Sequence, residues 1–299
     1  TTYADWIAVD WGTSNLRAWA MRGDAAIAEA TSDNGMGSLT KPEFEPALLS
    51  LIDPWLGTAR TPVFACGMVG ARQGWKEAPY RAVPCKPHPD GGIAVATEDT
   101  RISVVLLPGL SQHSPADVMR GEETQIAGFI ATNPTFDGIL CLPGTHTKWV
   151  QVSAGEVVSF RTFMTGELYA LLTRNSVLRH TATGGWDDDA FAEAVSDTLS
   201  RPEALATRLF ALRAEDLLEN LSPSAATARL SGYLLGAELA ATRAYWLGQA
   251  VAIIGDAGIS ARYRAALALQ GVDARVSDAD AMTTAGLAAA YALTLKVSS

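Results

Sequence analysis

Cysteine is scarce in this chain. There are three in 299 residues, Cys66, Cys85 and Cys141, with no C-x-x-C pair. That excludes a disulfide framework and a thiolate zinc site. Charge is also sparse, at 18% of residues, and basic groups are the scarcer kind: 23 Lys and Arg stand against 32 Asp and Glu, for a net charge of −9. Nucleic acid and anionic membranes both need a basic face, so neither is expected as a partner. An anionic small molecule needs only a local cationic pocket and stays open. No apolar run reaches the ~18 residues of a membrane span. The residues TTYADWIAVDWG carry no basic segment ahead of an apolar one, so no secretory leader is expected and the chain reads as a cytoplasmic globular protein. Two nucleotide signatures are missing as well: there is no G-x-x-x-x-G-K-[ST] and no G-x-G-x-x-G at a strand end.

Apolar residues make up 48%, enough for a sizeable core, and at roughly 150 residues per domain the length suggests two domains, or one large one. The first 30 residues read as a meander. Strands are expected at Trp6–Val9, Leu16–Met21 and Ala25–Ala30, separated by DWGTSN and by Arg22-Gly23-Asp24. A helix is expected over 43–57, with Pro46 tolerated in its first turn. PVFACGMVG reads as a buried strand entering a glycine turn, 72–92 as an irregular surface loop, and 102–107 as a strand. A helix from about Gly121 to Ile130 leads into a second meander, GILCLPGTHTKWVQVSAGEVVSFRTF. Helices are expected over 186–221, over 225–250 and in ARYRAALAL, which follows the strand VAIIG and the glycine turn DAGIS. DARVSD is a short strand, and 280–296 a terminal helix.

The two meanders repeat. At an offset of 132 with no gap, Ile7 falls on Ile139, Gly12 on Gly144, Thr13 on Thr145 and Gly23 on Gly155, while Asp24 meets Glu156. Each shared glycine falls where a hairpin needs one, which argues for an internal duplication.

A Gly-Thr turn offers backbone N–H groups and a hydroxyl at one point, a good seat for phosphate oxygens. Two such turns, Gly12-Thr13 and Gly144-Thr145, suit one polyphosphate. Asp10 precedes the first turn, and Leu142 stands in its place in the second copy. A single strand-end carboxylate suits a hydrated Mg²⁺, held through water; such an Asp also commonly caps a turn. Asn15 and Arg17 in or after the first turn, and His146 and Lys148 in the second, would each alone read as solvated surface residues. Beside paired turns they become candidates for neutralising phosphate. IIGDAGIS places Gly255 and Gly258 between a strand and a helix, where a ligand can approach the backbone. Glu122 and Glu123 open a helix, where the dipole favours carboxylates. One of them could accept the proton of a hydroxyl attacking a γ-phosphate.

These residues resemble a superfamily, the nucleotide-binding fold shared by actin, heat-shock chaperones and sugar kinases. DWGTSNLR is similar to its first phosphate motif and LPGTHTKW to its second. VAIIGDAGIS is similar to its adenosine motif, and TTAGLAAAYAL to its connecting helix. Within it, CGMVGARQGW, VMRGEETQ, LPGTHTKWV and FMTGELYALL resemble the bacterial 2-dehydro-3-deoxygalactonokinase family. The resemblance implies two α/β domains of the ribonuclease-H-like (actin-like ATPase) type with an interdomain cleft. The first is expected over 1–130 with the helix 281–299 packing back, and the second over 131–280. It implies ATP and Mg²⁺, and phosphorylation of the 6-hydroxyl of 2-dehydro-3-deoxy-D-galactonate. The same fold also houses kinases for other sugars, phosphohydrolases and chaperone ATPases. By position in the motif Glu122 takes the base role, with Glu123 in reserve; a Glu there departs from the wider superfamily's Asp. A 2-keto acid needs cations for its carboxylate, and Arg72, Arg81 and Arg120 lie near the motif blocks. Gln73 and Trp75 are further substrate candidates, as are Thr165 and Glu167. A homodimer is compatible with the sequence, which does not reveal the oligomeric state.

Overall fold

The computed structural model describes residues 3–87 and 92–298. The chain divides into two compact units. One comprises Thr1–Phe136, Val152–Ser159 and Ala279–Ser299, the other Asp137–Gln151 and Phe160–Asp278.

In the first unit β1 (Trp6–Trp11), β2 (Leu16–Arg22) and β3 (Ala25–Ser32) form the expected meander. Helix α1 spans Phe44–Ile52 and is shorter than expected. Pro54 has no N–H for the Ser50 carbonyl, so the chain leaves the helix through a 3-10 turn over Asp53–Trp55. Then come β4 (Thr61–Cys66), β5 (Tyr80–Ala82), β6 (Ile93–Val95), β7 (Ile102–Leu106), β8 (Gly109–His113), β9 (Ala116–Met119) and α2 (Glu122–Thr132). The loop expected over 72–92 carries β5, and its residues 88–91 lie outside the described residues. The main sheet runs β3-β2-β1-β4-β7-β6; a three-stranded sheet runs β5-β8-β9. Strand β1 is antiparallel to β2 and parallel to β4, and β4 is parallel to β7.

The second sheet repeats this plan with β10 (Gly138–Leu142), β11 (Thr147–Ser153) and β12 (Glu156–Phe163), of which Val152–Ser159 belong to the first unit. Helix α3 (Thr165–Asn175), which the sequence reading left unassigned, follows at once. Helices α4 (Asp188–Ser200), α5 (Leu205–Glu219), α6 (Pro223–Ala241) and α7 (Arg243–Trp246) precede β13 (Val251–Gly255), α8 (Ala257–Ala268) and β14 (Arg275–Asp278). The helix expected over 225–250 is thus two, divided at Thr242. The expected turn DAGIS is mostly helix, because Asp256 caps α8 by accepting from the N–H groups of Gly258 and Ile259 at 3.0 and 3.1 Å. The sheet order is β12-β11-β10-β13-β14. It matches β3-β2-β1-β4-β7 strand for strand, with β10–β13 and β13–β14 parallel. The repeat-related Gly23 and Gly155 both have positive φ, +56° and +74°, a backbone state that L side chains rarely adopt.

Helix α9 (Ala279–Ser298) returns to the first unit; residue 299 lies outside the described residues. Strand β1 is buried on both faces, which is why it reads as an unbroken apolar run. Ile7, Val9 and Trp11 join a cluster with Phe44 and Leu48 of α1. Trp6 and Ala8 face Leu287, Ala288 and Ala290 of α9, with Trp6 stacked on Tyr291 at 4.7 Å. Helices α2 and α9 cross at Gly128 and Gly286. A Cβ on Gly286 would overlap the Thr124 carbonyl, and one on Gly128 the Met282 carbonyl. Gly286→Ala is therefore expected to destabilise by about 1–3 kcal/mol through overpacking, outweighing its gain of about 1 kcal/mol in helix propensity. A urea unfolding midpoint reads the sign. No helix among the described residues is long and apolar enough to cross a membrane.

Candidate active site

In the first unit the candidate residues gather at the carboxyl ends of β1 and β4, where open α/β sheets bind ligands. Asp10 lies near the end of β1. Its Oδ2 accepts from Arg17 Nη2 at 2.6 Å, and Arg17 Nη1 donates to Asp280 at the start of α9. Burial raises the Asp10 carboxyl pKa above its ordinary value, and the Arg17 contact pulls it back. The Arg17 charge is thus paired with two carboxylates in this structure. Asp280 is a partner no local pattern announces, since it lies 263 residues from Arg17. The turn closes through Gly12 N–H on the Asn15 carbonyl at 2.9 Å, with Thr13 and Asn15 exposed. Met36 and Gly37 donate to the carbonyls of Gly12 and Thr13, both at 2.9 Å. The run NGMGS was the available sign of this buttress.

Close to Asp10, the chain turns through Gly67 after β4 and through Gly121 before α2. A Cβ on Gly67 would stand 3.2 Å from Asp10 Oδ1, and one on Gly121 3.4 Å from the Gly67 Cα. The opening carboxylates of α2 follow. Glu122 is half-buried, and its Oε2 accepts from the Arg120 N–H at 3.2 Å. Glu123 is buried, and its Oε2 accepts from the Gly121 N–H at 2.7 Å. Burial first, and Glu122 second, push the Glu123 carboxyl up to about 8. Glu123 is therefore mostly protonated at neutral pH and poorly suited to take a proton. Glu122 is the more accessible of the two carboxylates.

The substrate candidates of this unit divide. Arg120 is buried, donates from Nη2 to the Ala78 carbonyl at 2.8 Å, and has its guanidinium 4.3 Å from the Tyr80 ring centroid. Arg72 and Gln73 are exposed, and Arg72 meets only Glu77, at 3.6 Å. Trp75 stacks on Phe44 at 6.0 Å and meets Trp11 edge-on at 6.1 Å. Its half-buried ring packs against the aromatic core.

In the second unit, the Gly144-Thr145 turn has open space above it: a Cβ on Gly144 would meet nothing within 4 Å. The start of α3 abuts the turn. Glu167 N–H donates to the Thr145 carbonyl at 3.0 Å, and a Cβ on Gly166 would overlap the Gly144 carbonyl. The Glu167 carboxylate pairs with His146 at 2.6 Å. Lys148 is buried and donates to the His146 carbonyl at 3.2 Å. Thr165 donates its hydroxyl to Glu238. Thr165 and Glu167, expected as substrate residues, are thus tied into the frame of this turn.

Glu238 is the residue the sequence reading missed. Its buried carboxylate accepts from Trp149 Nε1 at 2.7 Å, from Thr165 and from the Tyr263 hydroxyl at 3.0 Å. The Tyr263 oxygen meets Thr147 Oγ1 at 2.8 Å, and Thr147 accepts from the Gly144 N–H at 3.4 Å. The available sign was one carboxylate inside the apolar run LLGAELAA. Burial pushes the Glu238 carboxyl up to about 7.

The adenosine-motif glycines do different work from that expected. A Cβ on Gly255 would stand 2.8 Å from Ser260 Oγ and 3.2 Å from Pro143, so this glycine is needed for internal packing. The Gly258 N–H is taken by Asp256. Beyond them, Ile259, Leu234, Leu235, Tyr169 and Arg262 line a mainly apolar cavity, of a kind that suits a flat heterocycle.

The family model described as 2-keto-3-deoxy-galactonokinase matches residues 10–290. A probable 2-dehydro-3-deoxygalactonokinase of Rhizobium meliloti strain 1021 is 40% identical over 298 residues, covering 97% of each chain. The 2-dehydro-3-deoxygalactonokinase of Escherichia coli strain K12 is 35% identical, covering 95% of this chain and 96% of its own. A crystal structure from Sinorhizobium meliloti, described as a candidate 2-dehydro-3-deoxygalactonokinase, superposes with a TM-score of 0.89 at 40% identity. It covers 96% of this chain and 99% of its own. Component A of the (R)-2-hydroxyglutaryl-CoA dehydratase of Acidaminococcus fermentans shares the fold alone, with a TM-score of 0.51 at 12% identity over the full length of both chains. The fold is that of actin-like ATPases and sugar kinases, and the family match over residues 10–290, with relatives aligned over nearly their whole length, shows that the chain belongs to the 2-keto-3-deoxy-galactonokinase family.

Proposed function

We propose that this chain transfers the γ-phosphate of ATP to the 6-hydroxyl of 2-dehydro-3-deoxy-D-galactonate, in the cytoplasm. The observation that carries the chemistry is the placing of Glu122. It is a half-buried carboxylate at the first position of α2, in the same unit as Asp10 and the first phosphate turn. Held beside the acceptor hydroxyl, it takes the proton as the oxygen attacks phosphorus. Glu123 holds the Gly121 N–H and so fixes the start of the helix. In the second unit, the open turn at Gly144-Thr145 receives phosphate oxygens, and the apolar cavity beside Ile259 receives the adenine.

A divalent cation fits Asp10 in one way only. Its Oδ2 is held by Arg17, while Cys66 Sγ lies 3.9 Å from Oδ1. No group of three or more metal-ligating side chains occurs among the described residues. Asp10 would therefore hold a hydrated Mg²⁺ through water, the remaining ligands being phosphate oxygens. When bound, that ion neutralises phosphate charge.

The test is ADP release from Mg·ATP with and without the sugar acid, alongside its gluconate epimer. Strong stimulation by the galactonate form alone is expected. Equal stimulation by both would widen the substrate to sugar acids of either configuration. Hydrolysis that ignores both would move the chain to a phosphohydrolase or chaperone-type ATPase.

A further inference from the structure

The structure assigns Arg120 as the anchor for the carboxylate of the 2-keto acid, an inference that rests on the sugar-acid kinase reading. Arg120 is 8% exposed. Of its guanidinium nitrogens only Nη2 has a protein acceptor, the Ala78 carbonyl at 2.8 Å; Nε and Nη1 are buried with none among the described residues. Arginine carries five N–H donors and keeps its charge in a protein. Buried N–H groups left without acceptors are costly, the more so on a cation. Nη2 has two hydrogens, one facing Nε and one facing Nη1. Whichever of them Ala78 takes, one two-point edge of the fork is left over, and that edge matches a carboxylate.

The surroundings point to the acceptor substrate rather than to ATP. The backbone N–H of Arg120 donates to Glu122, so the anchor and the base issue from residues two apart in one unit. At Gly70 the chain places no side chain beside the guanidinium; a Cβ there would stand 3.0 Å from Nη1. The Tyr80 ring, whose centroid is 4.3 Å from the guanidinium carbon, is itself 42% exposed and is the solvent-facing part of the cover. The other two arginines differ. The Arg72 side chain is 81% exposed. Arg81 is only half-buried, and its Nη2 donates to the Lys86 carbonyl at 3.0 Å.

The experiment compares wild type, Arg120→Met and Arg120→Lys with two acceptors, the sugar acid and an analogue bearing CH2OH in place of the carboxylate. Turnover is measured together with calorimetric binding of the acid. Losing one partner of a buried charge pair costs about 2 kcal/mol or more, so KM for the acid is expected to rise about 30-fold or more in Arg120→Met. KM for ATP should hold, and the preference for acid over analogue should vanish. Arg120→Lys keeps the charge without the fork and should fall between; it carries the test if Arg120→Met fails to fold. Retained acid preference in an active variant overturns the assignment and leaves the kinase reading intact. Acid binding without turnover in wild type, lost in the variant, sinks the kinase reading and keeps Arg120. A wild type that neither binds nor turns over the acid overturns both.

Discussion

Replacing Glu122 by Gln is expected to lower kcat by about 10²–10⁴-fold, the range general-base catalysis contributes, while both ligands still bind. Gln keeps the size of the side chain and still accepts the Arg120 N–H, so the helix start is preserved. What is lost is the ability to hold the proton of the attacking hydroxyl. Glu123→Gln supplies the contrast. Because Glu123 is mostly protonated near neutrality, its neutral mimic should turn over at close to the wild-type rate. Steady-state kinetics at saturating ATP and sugar acid measure both. Normal turnover in Glu122→Gln with collapse in Glu123→Gln would exchange the two roles.

The second large effect concerns Glu238, in the other unit. Glu238→Ala leaves the donors of Trp149, Thr165 and Tyr263 without their acceptor. At about 1–3 kcal/mol for each buried donor left unsatisfied, a loss of about 3 kcal/mol or more is expected. KM for ATP should rise, since the chain of bonds from Glu238 through Tyr263 and Thr147 ends on the Gly144 N–H. Glu238→Gln should be far milder, and it isolates a pH effect. The folded carboxyl titrates near 7, above its ordinary 4.5. The folded state therefore binds more protons between those values, and stability falls as pH rises through that window. Denaturant midpoints at pH 5 and pH 8 should differ less in Glu238→Gln than in wild type. An unchanged difference would show that Glu238 does not titrate there.

The central strands and their repeat were legible because each carries a local signature. The β1 and β10 runs are apolar throughout, and Gly12, Gly23, Gly144 and Gly155 mark turns at one offset. The repeat in turn foreshadowed the shared strand order of the two sheets. The β8–β9 hairpin was not legible: GLSQH and ADVM are short, part polar and half exposed, with no alternation to read. In the candidate site, Asp10, Glu122 and the two Gly-Thr turns stood out because type and position coincide in a motif. The Arg17 pairing did not, because its partner Asp280 is brought near only by the return of α9. The packing of Trp75 was not legible either, because its stacking partner Phe44 lies 31 residues earlier.

The placement of α9 has a consequence for how the protein is made. The ribosome produces 142 intervening residues, from 137 to 278, before it reaches the helix that covers Trp6, Ala8 and Phe64. Nascent domains generally fold as units in order of synthesis, yet here the first sheet must wait with one apolar face bare while the second assembles. Asp280 arrives with the same late segment, so Asp10 and Arg17 acquire their third partner only at that stage. Completion of the first unit, and with it the Asp10 site, therefore waits on a segment made after residue 278.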